Sequence, residues 1–229
     1  MVTTAILVDG GFYRKRAKYL YGTKTAEERA DELEKYCKCH IQKGKGMQQR
    51  FLYRIFYYDC LPLANKKVFH PLKKTNIDLD KSDTAEWSKL FIEQLKTKRK
   101  FAVRLGELSE YPNYNLKPEV TRKLLSGKLT LEQLTENDFS FNVQQKGVDM
   151  RIGIDIASLT YKKQVNQIIL ISGDSDFVPA AKMARREGVD FILDSMGATI
   201  KDNLFEHIDG LESFWKNKSL IQINGEQQN

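Results

Sequence analysis

Apolar residues in this chain recur in two patterns. Short continuous runs occur at Thr4-Ala5-Ile6-Leu7-Val8, Phe51-Leu52-Tyr53-Arg54-Ile55-Phe56-Tyr57-Tyr58, Phe101-Ala102-Val103-Arg104-Leu105, Gln167-Ile168-Ile169-Leu170-Ile171 and Val189-Asp190-Phe191-Ile192-Leu193-Asp194. They are strand-sized and rich in β-branched or aromatic side chains. Between them the apolar positions take helical spacing. One helix is predicted from near Phe12. A second opens with the capping box Thr25/Glu28, carries Ala26, Ala30, Leu33, Cys37 and Ile41 on one face, and ends at Gly44 and Gly46. Further helices run through Trp87, Leu90, Phe91 and Leu95, and through Val148, Ile152, Ile156 and Leu159. Another, with Pro179 in its first turn, carries Ala180, Met183 and Ala184, and a last one carries Leu204, Ile208 and Leu211. Strands that are apolar throughout and alternate with helices predict a mostly parallel sheet covered on both faces, a three-layer α/β/α arrangement.

Two stretches lack this regularity. Residues 63–83, with Pro71 and several lysines, read as a surface loop. Residues 109–140 read as a helical insertion, with helices through Val120, Leu124 and Leu125 and through Leu131 and Leu134. A helix and tail are expected over 200–229. No composition change divides the chain, so residues 1–229 are expected to form one domain.

Composition narrows the class. Hydrophobic residues at 41% and charged residues at 29% describe a globular protein, neither a disordered tail nor a disulfide miniprotein. No apolar run could span a bilayer, and the start lacks the basic and long apolar segments of a secretory signal, so a cytoplasmic location is expected. The odd set Cys37, Cys39 and Cys60 is expected to be reduced. Cys37-Lys38-Cys39-His40 lacks a second ligand pair, which argues against zinc, and Cys37 continues the apolar face of its helix. The net charge of +7 is a modest bias toward an anionic partner. Its local form is sharper: Lys96, Lys98, Arg99, Lys100 and Arg104 form one group, and Lys66, Lys67, Lys73 and Lys74 another.

Candidate chemistry lies at the strand ends. In an open parallel sheet, ligands bind beyond the carboxyl ends of the strands. Asp9 ends the first strand, Asp174 and Asp176 follow the strand ending at Ile171, and Asp149 opens a helix. Each has a plain alternative: Asp9 a turn residue, Asp176 a helix cap, Asp149 a partner of the helix dipole. As a group without lysine partners, however, they repel one another unless a cation compensates. Mg²⁺ or Mn²⁺ suits an all-oxygen set of this kind and supports phosphodiester hydrolysis.

Three motifs, Val8-Asp9-Gly10-Gly11-Phe12, Gln145-Lys146-Gly147-Val148-Asp149-Met150-Arg151-Ile152-Gly153 and Ile171-Ser172-Gly173-Asp174-Ser175-Asp176-Phe177-Val178-Pro179-Ala180, resemble the NYN domain in its LabA-like branch. The similarity also touches Tyr57-Tyr58-Asp59, Arg104-Leu105-Gly106-Glu107 and Ile208-Asp209-Gly210. The resemblance implies a PIN-like nuclease fold, a metal set of Asp9, Asp149, Asp174 and Asp176 around Mg²⁺ or Mn²⁺, and RNA as substrate. It sets Lys146 beside the site toward a phosphate, and Ser172 and Ser175 where they orient a carboxylate or water. Arg14, Lys98, Arg99 and Lys100 are further candidates for substrate contact. Homodimers are common among the resembling proteins and are expected here.

The leading expectation is a metal-dependent endoribonuclease. The alternative is a regulator that binds RNA or protein and retains the acidic pocket. A phosphomonoesterase reading is disfavoured, because Gly11 stands where that chemistry wants a second aspartate. Asp59, Glu107 and Asp194 are secondary candidates, with a turn role favoured for Asp194. Asp155 is explained by an ion pair with Arg151 one helical turn away.

Overall fold

A computed structural model of the chain describes residues 1–42, 49–63, 66–109 and 112–216. The glycines expected to end the second helix, Gly44 and Gly46, and the tail from 217 lie outside the described residues. In chain order the elements are β1 (Val2–Asp9), α1 (Gly10–Tyr21), α2 (Ala26–Ile41), β2 (Arg50–Cys60), β3 (Lys67–His70), β4 (Thr75–Asp78), α3 (Asp83–Thr97) and β5 (Phe101–Leu108). There follow β6 (Asn113–Leu116), α4 (Pro118–Leu125), β7 (Phe139–Asn142), β8 (Gln145–Lys146), α5 (Val148–Tyr161), β9 (Gln167–Ile171), α6 (Val178–Arg186), β10 (Asp190–Asp194), α7 (Asp202–Phe205) and β11 (Gly210–Leu211).

The main sheet has the order β11-β10-β9-β1-β2-β5-β8, so the first strand lies at its centre. Every pairing in it is parallel except β5 with β8. The period-2 alternation of strands sorts the core into two layers. Ala5 and Leu7 of β1, with Ile168 and Leu170 of β9, pack against Ile152, Ile156, Ala181 and Ala184 of α5 and α6. Ile6 and Val8, with Ile169 and Ile171, face Tyr13, Leu33, Tyr36 and Phe91 of α1, α2 and α3. This is the expected three-layer α/β/α arrangement with a mostly parallel sheet.

Local signals account for most element ends. The Thr25/Glu28 capping box is formed, Glu28 N donating to Thr25 Oγ1 at 3.2 Å and Thr25 N to Glu28 Oε2 at 2.9 Å. Three expectations are corrected. The stretch 63–83 contains the hairpin β3–β4. The helix expected through Leu131 and Leu134 is a single 3-10 turn at Leu131–Gln133, while β6 and β7 pair to bracket the insertion. The last helix stops after Asp202–Phe205, and Gly210–Leu211 joins the sheet edge instead. Leu204 and Ile208 are buried in either geometry, so apolar spacing alone did not separate the two. Among the described residues no helix is long and apolar enough to cross a membrane.

Candidate active site

Asp9 stands where the central strand passes into α1. Its carboxylate caps that helix, Oδ1 accepting from Phe12 N at 3.0 Å, which is why the helix begins at Gly10 rather than nearer Phe12. The pairing of Val8 with Ile171 brings the next residue of the neighbouring strand alongside. Ser172, fully buried, donates its hydroxyl to Asp9 Oδ2 at 3.1 Å and accepts from Asp174 N at 3.3 Å. Asp174 Oδ1 accepts in turn from Asp176 N at 3.0 Å. Asp9, Ser172, Asp174 and Asp176 thus form one hydrogen-bonded chain along the carboxyl edge of β1 and β9.

Gly10 is required by the approach of β2. A Cβ at this position would stand 2.5 Å from Tyr58 O and 2.5 Å from Tyr57 Oη. Gly147 precedes α5 with φ +77, a left-handed conformation that L side chains rarely adopt. That turn places Asp149 in the first turn of α5, within electrostatic reach of Asp174 and Asp176.

The acids act on one another electrostatically. Burial raises the Asp9 carboxyl above its usual range against the Phe12 and Ser172 hydrogen bonds, with Asp149 and Asp59 adding to the rise. Asp149 is raised by burial, then by Asp174 and Asp176. Among the described residues none of the four aspartates has a Lys, Arg or His within ion-pair distance. As the side chains stand, no three described His, Cys, Asp or Glu residues are close enough to share one ion. Asp149, Asp174 and Asp176 are exposed, so their side chains are not locked by packing. The donor set, oxygen only and uncompensated, fits a hard divalent cation.

A profile of the NYN domain matches residues 92–206, half of the chain. The chain belongs to the NYN domain family. NYN domains are PIN-like nuclease domains, and the matched part contains Asp149, Asp174 and Asp176, while Asp9 comes from the segment before it. Among solved structures, a protein of unknown function from Vibrio parahaemolyticus is similar, with 14% identity and a TM-score of 0.46 over 92% of this chain and 91% of that one. No curated protein matches the sequence.

Around the NYN acids the remaining candidates separate. Lys146 is exposed on β8, paired in register with Glu107 at the sheet edge and one residue before the turn into α5. Ser175 accepts from Lys201 Nζ at 3.2 Å, a neighbour that sequence reasoning missed because it lies 26 residues away. Arg14 is close to the site but engaged: its NH2 group lies 3.0 Å from Asp59 Oδ1.

Asp59, ranked second by sequence, is a buried hub. It also accepts from Tyr57 Oη at 2.8 Å, Cys60 N at 2.8 Å and Gln145 Nε2 at 3.2 Å. Lys98, Arg99 and Lys100 are corrected. They precede β5 and therefore lie at the amino ends of the parallel strands, across the sheet from Asp9. Lys98 is paired with Asp31 and Glu34, and Lys100 Nζ is bonded to Leu52 O over the Phe51 ring.

Asp155 bonds Tyr58 Oη at 2.8 Å and Arg104 Nε at 3.2 Å rather than Arg151. Asp194 is buried among Tyr36, His40 and Ser213 and holds its own turn through Met196 N at 2.7 Å. Tyr13, Tyr57 and Tyr58 are fully buried, which makes them core residues and not stacking platforms.

Proposed function

We propose that this NYN domain is a metal-dependent endoribonuclease of the LabA-like branch. The observation that carries the reading is the aspartate set at the carboxyl edge of β1 and β9, tied together through Ser172 and lacking any cationic partner among the described residues. Asp9, Asp149, Asp174 and Asp176 would hold Mg²⁺ or Mn²⁺, which when bound lowers the pKa of a water and neutralises charge on the phosphate under attack. The chain's own residues do the rest. Phe12 N and Ser172 fix the Asp9 carboxylate from two sides, so its position does not depend on the ligand. Lys146, exposed at the turn into α5, contacts the scissile phosphate. Ser175 is held by Lys201 at the rim and orients a water or a carboxylate.

The separation of the carboxylates as they stand favours a second reading, a regulator that binds RNA and cuts slowly or not at all. One experiment separates the two. The protein and its Asp174→Asn variant are incubated with mixed-sequence single-stranded RNA and DNA in Mn²⁺, Mg²⁺ or EDTA. Asparagine keeps the oxygen that accepts from Asp176 N, so the variant folds. Metal-dependent RNA cutting by the wild type alone supports the nuclease, whereas RNA binding without cutting supports the regulator.

A further inference from the structure

A groove of about 390 Å³ opens beside α6, lined by Lys182, Arg185, Arg186, Glu206, His207 and Asp209. Its charges are unequally employed. Arg185 Nε is bound to Asp209 Oδ1 at 2.8 Å, and the other oxygen of that carboxylate accepts from Phe191 N at 2.9 Å, so both members belong to the fold. Lys182 and Arg186 are exposed and, among the described residues, make no ion pair, which leaves Glu206 as the only acid of the groove not bound to a cation. The helix dipole accounts for Arg185 and Arg186 in the last turn but not for Lys182 in the middle. Lys182 and Arg186 are four residues apart on one face, where like charges are mildly unfavourable for the helix itself.

The groove is connected to the acids by both elements that form it. Helix α6 starts two residues after Asp176, and Lys182 and Arg186 lie roughly 6 and 12 Å along its axis from Val178. The segment that supplies Glu206 and His207 begins at Lys201, whose ammonium reaches Ser175 between Asp174 and Asp176. A line of cations, Lys201, Lys182 and Arg186, therefore leads from the aspartates into the groove.

We propose that this line is the track for the substrate backbone: a single RNA strand leaves the acid site past Lys201 and lays successive phosphates on Lys182 and Arg186. The proposal rests on the reading of the site as an RNA site and adds to it the direction of the strand and a minimum length. A substrate reduced to the nucleotides at the acids forgoes these contacts, while a longer strand gains them.

The test measures binding and cutting separately. Binding of a labelled single-stranded RNA of about 12 nucleotides is followed by fluorescence anisotropy in the full chain carrying Asp174→Asn, across a salt series. Adding Lys182→Gln and Arg186→Gln weakens binding about tenfold at moderate salt and makes the slope of log K against log salt shallower by about 1.4, the share of two phosphates on a single strand. Neutralising the exposed Lys15 and Lys18 of α1 to Gln removes the same charge elsewhere and serves as the control, with less than about a twofold effect.

With Asp174 intact, the Lys182/Arg186 pair lowers cutting of the long strand and leaves cutting of a trinucleotide unchanged. Equal binding by the groove variant and its parent, an equal loss in the α1 control, or no RNA binding at all overturns the track. Binding that follows the groove without cutting of any RNA upholds the track and removes the nuclease reading instead.

Discussion

The Ser172 hydroxyl, wholly shielded from solvent, lies 3.1 Å from Asp9 Oδ2 and is the direct link between the two central strands at the acid edge. Removing it in Ser172→Ala frees Asp9 on that side and leaves the Asp174 amide without its partner. We expect a stability loss of about 1–2 kcal/mol, read from urea unfolding. Turnover in the RNA-cutting assay is expected to fall at least about tenfold with little change in KM, because the reacting geometry suffers more than substrate binding does.

The raised carboxyls of Asp9 and Asp149 set a pH dependence of definite sign. A carboxyl whose folded pKa exceeds its unfolded value near 3.8 costs the folded state nothing while protonated in both states, and a penalty develops as pH rises through and above that value. Asp149→Asn removes one such penalty. Its thermal midpoint is expected to exceed that of the wild type by about 1–2 °C at pH 8 and to match it near pH 3.5. Equal midpoints at both pH values would contradict the crowding of acids around Asp149.

Metal should act on the same balance from the other side. On the proposed metal-binding reading, Mn²⁺ or Mg²⁺ at about 100 times its dissociation constant is expected to stabilise the wild type by about 2.7 kcal/mol, since only the folded chain could bring the four aspartates to one ion. Calorimetric scans of the wild type and of Asp9→Asn with and without Mn²⁺ check this, and the variant is expected to lose most of the increment. A metal-induced shift of the same size in both proteins would place any ion elsewhere.

Gly10→Ala tests the contact between β2 and the start of α1. The added methyl meets a backbone carbonyl, Tyr58 O, which has no rotamer with which to move aside. The expected cost is about 3 kcal/mol, measured by denaturant unfolding.

Lys98→Gln distinguishes a structural lysine from a phosphate-binding one. Lys98 bridges Asp31 and Glu34 of α2 at the amino side of the sheet. Its loss is expected to lower stability by about 1 kcal/mol or less, with RNA affinity and its salt slope unchanged.

These cases show where the sequence was legible. Apolar runs ending in Asp9 and in Ser172-Gly173-Asp174 marked β1 and β9, because a strand buried on both faces has few other spellings. Asp59 was undervalued because its partners Arg14 and Gln145 are 45 and 86 residues distant, and nothing local records four donors converging on one carboxylate. Lys98, Arg99 and Lys100 were over-read for the opposite reason. A basic run is visible in one dimension, whereas the end of the sheet it occupies depends on strand direction. The short hairpin β3–β4 and the edge strand β11 depend on tertiary pairing more than on any pattern of their own.

The central position of β1 has a consequence for the order of synthesis. Asp9 is made before Ser172, which fixes it and follows 163 residues later. At about 5–20 residues per second that is a delay of roughly ten to thirty seconds. Throughout that interval the emerging chain carries Asp9 without Ser172 and Asp174, so the hydrogen-bonded acid edge cannot form until β9 and the turn after it have been made.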